Sequence, residues 1–227
     1  MGKHAVKIHK NFYEKSVWQQ KKLVVGVDEV GRGCLAGPVV TAAVILPLNR
    51  TSLLLKDSKI LSPEERNKAY RWIIQNCQYQ IGIVHHRLID QHNIYQATKI
   101  GMKRAIVNLL THCNDPIGAI VIDAMPISLV KTGLPDIPVY HFYKGETKSS
   151  SIAAASIIAK VTRDRMMESY EMLFPGYSLG QHKGYATPTH QTALHTLQAS
   201  LIHRQTFLGA FLDKGTSDDT KSQQTLW

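Results

Sequence analysis

The stretch LVVGVDEVGRGCLAGPVVTAAVIL, residues 23–46, decides the fold. Its two ends, LVVGV (23–27) and PVVTAAVIL (38–46), are β-branched apolar runs, which predict two buried neighbouring strands. Between them stand two adjacent acids, Asp28 and Glu29, followed by a glycine–arginine–glycine turn. A surface turn whose charges happen to be acidic would have this pattern. A metal site beside a glycine-lined pocket for a nucleic acid would have it as well.

The overall charge favours the second interpretation without deciding it. The 227 residues include 27 Lys and Arg against 17 Asp and Glu, a formal net charge of +10. Such an excess suggests a polyanionic partner, although basic enzymes with small substrates share it. We expect one main domain at residues 23–212, after a short lead at residues 1–22 and before a flexible polar tail at residues 213–227.

The cysteines and the apolar runs bear on the cellular compartment. Cys34, Cys77 and Cys113 are odd in number and form no C-x-x-C pair, which argues against a disulfide framework and a cysteine zinc site. The first residues lack the apolar core of a secretory signal, and no run approaches the roughly 18 apolar residues of a membrane span. We expect a cytoplasmic protein.

Outward from the opening stretch, strands alternate with helices. Ser62-Pro63-Glu64-Glu65 has the pattern of a capping box and predicts a helix to about Asn76. Further strands are predicted at 79–84, 117–123 and 139–144. Three more helices are predicted: a long one capped by Asp90, an Ala- and Ile-rich one over SSIAAASIIAKVTRDRMMESYEMLF, and a last one from Thr187-Pro188. This order predicts an α/β fold with a mixed sheet covered by helices.

Three acids stand where burial is expected. Asp28 and Asp123 each end an apolar strand, and Asp164 follows Ile157 and Val161 at helical spacing on the same side of a helix. Each acid alone is as well explained as a structural or surface group. Converging carboxylates would repel one another, and hard divalent cations relieve that repulsion. Two such cations can activate a water and stabilise the leaving oxygen in phosphodiester cleavage.

The adjacency of Asp28 and Glu29 sets a condition on such a site. Neighbouring strand residues point to opposite faces of a sheet. Both side chains therefore reach one metal cluster only if the strand ends or bulges there, which Val30 and Gly31 would permit.

Several longer strings, taken together, resemble one family. They are GVDEVGRGCLAGPVV (26–40), DSKILS (57–62), IDAMP (122–126), SIAAASIIAKVTRDR (151–165), HKGYATPTH (182–190) and HRQTF (203–207). In this order they resemble ribonuclease HII, the type 2 ribonuclease H of bacteria, over about residues 22 to 208. The resemblance implies an α/β, ribonuclease H-like mixed central sheet flanked by helices, with a small C-terminal helical region, and a monomer.

The resemblance also implies an activity. Members of this family cut the RNA strand of RNA–DNA hybrids, and cut on the 5′ side of single ribonucleotides embedded in duplex DNA. The products carry 5′-phosphate and 3′-hydroxyl ends, and the cofactor is Mn²⁺ or Mg²⁺, with two divalent ions present during catalysis. A substrate held through its phosphates would dissociate more readily as salt rises.

The family's site residues carry over onto matching positions. The catalytic, metal-binding carboxylates are Asp28, Glu29, Asp123 and Asp164. Three groups of residues would bind the substrate. The backbone of Gly31, Arg32 and Gly33 approaches the ribose 2′-hydroxyl, and Tyr185 stacks on the following deoxyribose. Lys59, Lys144 and Lys148 are candidates for phosphate contacts. On residue type alone, Tyr185 would be a core or hydrogen-bonded tyrosine, and each lysine a solvated surface residue.

Two positions depart from the family pattern, and neither removes a carboxylate ligand. Ala124-Met125 stands where the family often has glycine after the third carboxylate, and Glu146 where it often has Asp. Both changes bear on loop shape and metal preference rather than on the reaction class.

The histidines form no recognisable metal pattern. His85, His86, His92, His182 and His190 have spacings typical of no zinc site, so most are expected on the surface or in loops. We assign no catalytic role to His182 or His190.

The last five residues of the chain suggest a protein partner. QQTLW, Gln223–Trp227, resembles the short peptides that dock into bacterial replication sliding clamps, although five residues with loose rules also match by chance.

Two other functions have to be distinguished from this one. A four-carboxylate nuclease of the same broad fold, such as a junction resolvase, would cut all-DNA substrates. A non-catalytic hybrid-binding protein would bind a hybrid and leave it intact when Mn²⁺ is added.

Overall fold

The computed structural model describes residues 10–130, 132–134 and 136–212. The predicted tail at 213–227, with its clamp-like peptide, therefore lies outside the described residues. The described chain forms two compact units. The first comprises residues 10–30, 40–83 and 98–162, and the second residues 31–39, 84–97 and 163–212. The two units are described separately below.

The described residues contain the following helices and strands. They are α1 (Phe12–Trp18), β1 (Leu23–Val30), β2 (Val39–Ile45), α2 (Pro63–Asn76), β3 (Gln78–Val84), α3 (His86–Thr111), β4 (Ile117–Asp123), β5 (Val139–Phe142), α4 (Ser150–Leu173), α5 (Leu179–His182), α6 (Pro188–Leu197) and α7 (Gln205–Leu212), with a 3₁₀ turn at Gly145–Thr147. Within the residues that the structure describes, none of these helices has the length and apolar character needed to cross a membrane.

The five strands form one mixed sheet in the order β3-β2-β1-β4-β5. β1 pairs antiparallel with β2 and parallel with β4, and β4 pairs parallel with β5. Apart from the end residues Val39 and Val84, the sheet belongs to the first unit. The predicted α/β class, a mixed sheet flanked by helices, is confirmed.

The opening stretch forms the centre of this sheet, because it is apolar on both faces. Every residue of β2 is buried, and so are the first six of β1. A Cβ atom at Gly26 would lie 2.0 Å from the carbonyl carbon of Ser151, so only glycine lets α4 approach β1 this closely.

A buried acid in the predicted lead ties α1 to the start of α4. Glu14 is fully buried, and its Oε1 accepts hydrogen bonds from the Ser149 hydroxyl at 2.5 Å and from the Ser151 amide at 3.1 Å. A carboxylate at this place satisfies helix N-terminal amides and complements the helix dipole. Val17, from the same short helix, packs in the core with Val24.

Two local predictions had different outcomes. The capping box at Ser62 is confirmed, since its hydroxyl accepts from the Glu65 amide and the Glu65 side chain accepts from the Ser62 amide. The prediction that Asp90 caps a helix of its own segment is wrong, because α3 already begins at His86. Its carboxylate instead accepts from the amides of Gln205 and Thr206, at the start of α7.

The long helix α3 carries a kink that sequence periodicity did not predict. Asn93 has φ 63° and ψ 164°, outside helical geometry, and its Oδ1 accepts from the Gln96 amide at 3.1 Å. Asparagine tolerates positive φ better than most residues and caps helices well. The second half of α3 is therefore capped by Asn93.

The second unit has its own apolar core. The loop at residues 31–39 contributes Leu35 and Ala36 to it, α4 contributes Met167, and the C-terminal helices contribute Leu194 and Leu208. The predicted small C-terminal helical region is found as α5, α6 and α7.

Candidate active site

Asp28 and Glu29 lie where β1 loses its partner on one side. The ladder with β2 continues without a register shift through Val30 opposite Val40, so the expected strand end or bulge is absent. On the other side, the ladder with β4 stops at Val27 opposite Ile122. The backbone of the two acids is thus paired to one neighbour only.

Asp123, the last residue of β4, is fixed by a backbone amide. Its Oδ1 accepts a hydrogen bond of 2.7 Å from Gly145 N–H. A Cβ at Gly145 would lie 2.6 Å from Ile152 Cδ1 and 3.3 Å from that same Oδ1. Glycine is therefore required for the turn to approach Asp123.

β1 neither ends nor bulges at Asp28 and Glu29, yet the charges of both Glu29 and Asp123 act on Asp28 in the first unit. Burial raises the pKa of Asp28 well above the ordinary value of 3.8, and the nearby charges of Glu29 and Asp123 raise that pKa further. Hydrogen bonds from the Glu29 amide and from the Ser156 side chain oppose the shift. Ser156 is itself held by Ser58, with 2.9 Å between the hydroxyl oxygens. A cluster of this kind strongly favours an added positive charge.

A further carboxylate, Glu146, lies beside Asp123. It is 93% buried, and its Oε2 has no hydrogen-bond partner among the described residues. Burial raises the Glu146 pKa, with Asp123 and Asp57 adding to the shift and Lys59 opposing it. In the sequence, Glu146 stands out only as a departure from the family pattern. Its place beside Asp123 could not be read from the sequence, because 22 residues separate the two along the chain.

These carboxylates fit a divalent cation. Mg²⁺ and Mn²⁺ prefer oxygen ligands, which Asp28, Glu29 and Asp123 supply from one unit. A buried unpaired oxygen of Glu146 belongs to the carboxylate beside Asp123. Within the part of the chain that the structure describes, no three Asp, Glu, His or Cys side chains already form a metal-binding group. The fit therefore rests on the chemistry of the donors and on the mutual repulsion of their charges.

Ala124, which follows Asp123, has a conformation that suits glycine better. Its φ is 54°, in the left-handed region, and its amide donates to the Phe142 carbonyl at 2.7 Å. The left-handed conformation costs an L-residue about 1–2 kcal/mol, partly offset because glycine loses more entropy on folding.

We predict that Ala124→Gly raises the free energy of unfolding by roughly 0.5 kcal/mol, measured by urea denaturation. Ala105→Gly is the control. It removes a buried side chain from the interior of α3 and should lower the same quantity by about 1 kcal/mol. If both variants lose stability alike, Ala124 carries no such strain.

The three predicted lysines differ in their surroundings. Lys59 is exposed and close enough to Glu146 to oppose the rise of its pKa. The ammonium of Lys144 lies 5.7 Å from the Tyr143 ring centroid, and that of Lys148 lies 5.6 Å from the Phe142 ring centroid. Among the three, Lys59 is the one whose charge acts beside the carboxylates, and its phosphate contact stays a prediction.

In the second unit, a fully buried arginine holds the glycine turn. The Arg204 guanidinium donates to the carbonyls of Gly31 at 2.6 Å, Arg32 at 2.8 Å and Gly37 at 3.0 Å. Burial lowers its pKa to about 10, so it stays charged at neutral pH. The turn's carbonyls are thereby directed towards Arg204.

Arg163, also fully buried, holds the rest of the same loop. It donates to the carbonyls of Pro38 at 2.9 Å and Ala36 at 3.0 Å. A Cβ at Gly31, whose φ is 90°, would lie 2.2 Å from Arg163 Nε, whereas a Cβ at Gly33 would meet nothing within 4 Å. Gly31 is thus required by the fold, and exposed Gly33 leaves room for a ligand. Neither arginine was predicted as a site residue, although Arg163 lies in SIAAASIIAKVTRDR and Arg204 in HRQTF.

Tyr185 and Asp164 also lie in the second unit. Tyr185 is 40% exposed, bridges to Cys34 through its backbone, and has the Arg163 guanidinium 5.9 Å from its ring centroid. Burial raises the Tyr185 pKa, and the Asp164 charge contributes to that rise. Asp164 is half-buried on α4. Its place with the other three carboxylates stays a prediction of the motif match.

The expectation for the histidines holds for some of them only. His85 and His92 are exposed, but His190 is fully buried and contacts an equally buried histidine, His203, with 3.0 Å between their Nε2 atoms. Sequence spacing could not reveal this pair, because the contact depends on how α6 and the following turn pack.

Known proteins resemble this chain over most of its length. The sequence profile described as Ribonuclease HII matches residues 25–209. The Ribonuclease HII of Levilactobacillus brevis is 45% identical over 196 residues, which are 86% of this chain and 72% of that relative.

Solved structures resemble the fold of the chain. The ribonuclease H2 of Pyrococcus horikoshii has a TM-score of 0.68 at 27% identity, covering 85% of this chain and 98% of the other. The RNase HII of Archaeoglobus fulgidus, solved as a complex with PCNA, has a TM-score of 0.65 at 25% identity, covering 81% of this chain and 94% of the other. The chain therefore belongs to the ribonuclease HII family, the divalent-metal-dependent endoribonucleases that act on RNA–DNA hybrids.

Proposed function

We propose that the chain cuts not only the RNA strand of hybrids but also duplex DNA on the 5′ side of a single embedded ribonucleotide, leaving 5′-phosphate and 3′-hydroxyl ends. The observation that carries this proposal is buried Asp28 with half-buried Glu29 and Asp123 near it, because burial and these like charges raise the pKa of Asp28. Such a group is costly to fold and favours bound cations.

The carboxylates have the role of ligands. Asp28, Glu29 and Asp123 would hold two divalent ions, and Asp164 completes the set by its match to the family motif. When bound, the ions supply activation of the attacking water and stabilisation of the leaving oxygen. Ser156 orients Asp28, and the Gly145 amide orients Asp123, so that both carboxylates keep fixed positions. No side chain need act as the nucleophile.

The glycine turn has the role of recognising the ribose. Gly31 adopts its positive φ against Arg163, and Arg204 holds the carbonyls of Gly31 and Arg32. Exposed Gly33 has no atom within 4 Å of where a Cβ would be, so a sugar can approach its backbone closely. The 2′-hydroxyl is the group that distinguishes RNA from DNA at such a contact.

Tyr185 has the role of placing the junction. Its half-exposed ring offers an apolar face for the deoxyribose that follows the ribonucleotide. Lys59, Lys144 and Lys148 would contact the phosphates, since ammonium groups suit a charged backbone.

The test is a labelled DNA duplex with one ribonucleotide, incubated with the protein in Mg²⁺ and separately in Mn²⁺, beside an all-DNA control. A single cut on the 5′ side of the ribonucleotide, with the control intact, is expected. Cleavage of the all-DNA duplex would favour a junction resolvase. A bound duplex left intact in both metals would favour a hybrid-binding protein.

We further propose that the tail contacts the replication sliding clamp through Gln223–Trp227. Two observations support this: the tail sequence, and the RNase HII of Archaeoglobus fulgidus solved in complex with PCNA. A clamp-binding peptide of this kind would raise the local enzyme concentration at DNA.

We predict that deleting Gln223–Trp227 abolishes capture of the protein by the cognate clamp in a pull-down, with cleavage of free hybrid unchanged. Asp218→Ala with Asp219→Ala is the control, because it alters the same tail outside the peptide. Equal capture of the truncated and full-length chains would refute the contact.

A further inference from the structure

A chain of hydrogen bonds in the second unit ends at the backbone of Tyr185. The Ser200 amide donates to His203 Nδ1 at 3.0 Å. His203 Nε2 lies 3.0 Å from His190 Nε2, and His190 Nδ1 lies 2.9 Å from the Tyr185 carbonyl oxygen. Four side-chain or backbone groups are thus connected in series, and the series leads from the turn before α7 to a substrate-binding candidate.

The donor at one end, the Ser200 amide, and the acceptor at the other, the Tyr185 carbonyl, fix where each proton lies. The Ser200 amide can only donate, so His203 Nδ1 accepts and its proton is on Nε2. His190 Nε2 then accepts that proton's hydrogen bond, so the His190 proton is on Nδ1 and is donated to the Tyr185 carbonyl. The series is complete only when both imidazoles are neutral and in these tautomers.

The surroundings of the pair favour the neutral forms. Both rings are buried, His190 to 0% exposure and His203 to 1%. Burial lowers the pKa of His203 to about 4, with the charges of His190, His86 and His182 also lowering it. Burial likewise lowers the pKa of His190. Both side chains therefore keep these tautomers at neutral pH.

A third histidine, His182, packs against the pair. The His182 ring stacks on the His190 ring with 4.3 Å between the centroids and 18° between the planes. Its Nδ1 accepts from the Gly184 amide, so its Nε2 donates to the Tyr177 carbonyl at 2.7 Å. The His190 ring is thus held on its face as well as at both nitrogens.

Tyr185 has other contacts as well: its backbone bridges to Cys34, and the Arg163 guanidinium lies 5.9 Å from its ring centroid. The Tyr185 carbonyl also accepts from the Thr187 amide at 2.8 Å, and the Thr187 hydroxyl caps α6 by accepting from the His190 amide at 3.3 Å. Loss of the His190 donor would leave this carbonyl with a local turn contact as its support. The Tyr185 ring is joined to this backbone through Cβ, so a shift of the backbone also shifts the ring.

We propose that His190 and His203 are positioning residues for substrate selection. Their hydrogen-bonded pair, with each proton on a fixed nitrogen, holds the Tyr185 backbone and so orients the Tyr185 ring towards the sugar that follows a ribonucleotide. This inference rests on the stacking role proposed for Tyr185. It predicts that the pair affects substrates with an RNA–DNA junction and spares long hybrids, in which no single junction has to be found.

Two substitutions at one position separate the two hydrogen bonds of His190. The amide nitrogen of Asn can take the place of Nδ1, so His190→Asn keeps a donor to Tyr185 and loses the contact with His203. The amide of Gln reaches the place of Nε2, so His190→Gln keeps a partner for His203 and loses the donor to Tyr185. Both variants remove the ring from the same buried site, so each is the control for the other.

The readout is kcat/KM on a duplex with one ribonucleotide, divided by kcat/KM on a long RNA–DNA hybrid. His190→Gln is expected to lower this ratio about tenfold, the usual effect of losing one buried hydrogen bond, and His190→Asn to keep it within about twofold. Adding Tyr185→Ala to His190→Gln should lower the ratio no further. Equal ratios for the Asn and Gln variants, or a parallel loss on both substrates, would overturn the proposal.

A spectroscopic measurement separates a failure of this inference from a failure of the proposed stacking. Long-range ¹H–¹⁵N spectra of the unaltered protein should show His190 protonated at Nδ1 and His203 at Nε2 at neutral pH. Other tautomers would overturn the pair itself. If the tautomers are as expected but Tyr185→Ala leaves the ratio unchanged, the stacking role fails and the positioning role fails with it.

Discussion

Asp28→Asn is expected to abolish hybrid cleavage, by about 10³-fold or more, and at the same time to stabilise the metal-free protein. The loss of activity follows because a metal ligand is removed, and the ions supply several kcal/mol of transition-state stabilisation. The gain in stability follows because the amide has nearly the same shape but no charge to bury beside Glu29 and Asp123. We expect the free energy of unfolding at pH 7.5 to rise by about 1 kcal/mol.

The raised pKa of Asp28 also predicts how the free energy of unfolding changes with pH. The folded pKa of Asp28 lies above its unfolded value, so the folded state holds a proton at pH values where the unfolded state has released it. The metal-free protein therefore loses this contribution as pH rises from about 4 through the folded pKa. Asp28→Asn should not show that loss, whereas the exposed control Asp115→Asn should behave as the unaltered protein does. A destabilised Asp28→Asn variant would contradict the account.

Arg204→Lys is expected to lower the free energy of unfolding by about 3 kcal/mol and to remove discrimination for the ribose. The guanidinium reaches the carbonyls of Gly31, Arg32 and Gly37 at once, and an ammonium on a single stem cannot. At least two buried carbonyls would be left unpaired, each at a cost of about 1–3 kcal/mol.

Urea denaturation measures the stability, and the single-ribonucleotide duplex measures the discrimination. Arg87→Lys is the matched control, because Arg87 is exposed in the same unit and should tolerate the change. If Arg204→Lys is as stable as that control and still cuts only at the ribonucleotide, the glycine turn does not depend on Arg204.

Local sequence patterns predicted most of the sheet. The apolar runs of β1 and β2 are buried on both faces, so their composition alone distinguishes them, and the capping box at Ser62 is complete within four residues. Asp123 was predicted at a strand end for the same reason, whereas β1 continues past Asp28 to Val30. Each of these signals depends on neighbours in the chain, which a sequence shows directly.

Features that depend on distant parts of the chain were missed. Charged side chains are normally exposed, so nothing in the sequence indicates that Arg163 and Arg204 are buried. They are buried because the carbonyls of the loop at residues 31–39, more than a hundred residues away, satisfy their donors. The capping role expected of Asp90 failed for a similar reason, since α7 offers it amides that its own segment does not.

The most direct test of the metal site is Mn²⁺ binding followed by electron paramagnetic resonance, comparing the unaltered protein with Asp28→Asn. The account predicts that the unaltered protein removes free Mn²⁺ from solution and that the variant, although folded and more stable, binds the ion at least tenfold more weakly. Equal Mn²⁺ affinity in the two proteins would contradict the assignment of Asp28, Glu29 and Asp123 as metal ligands.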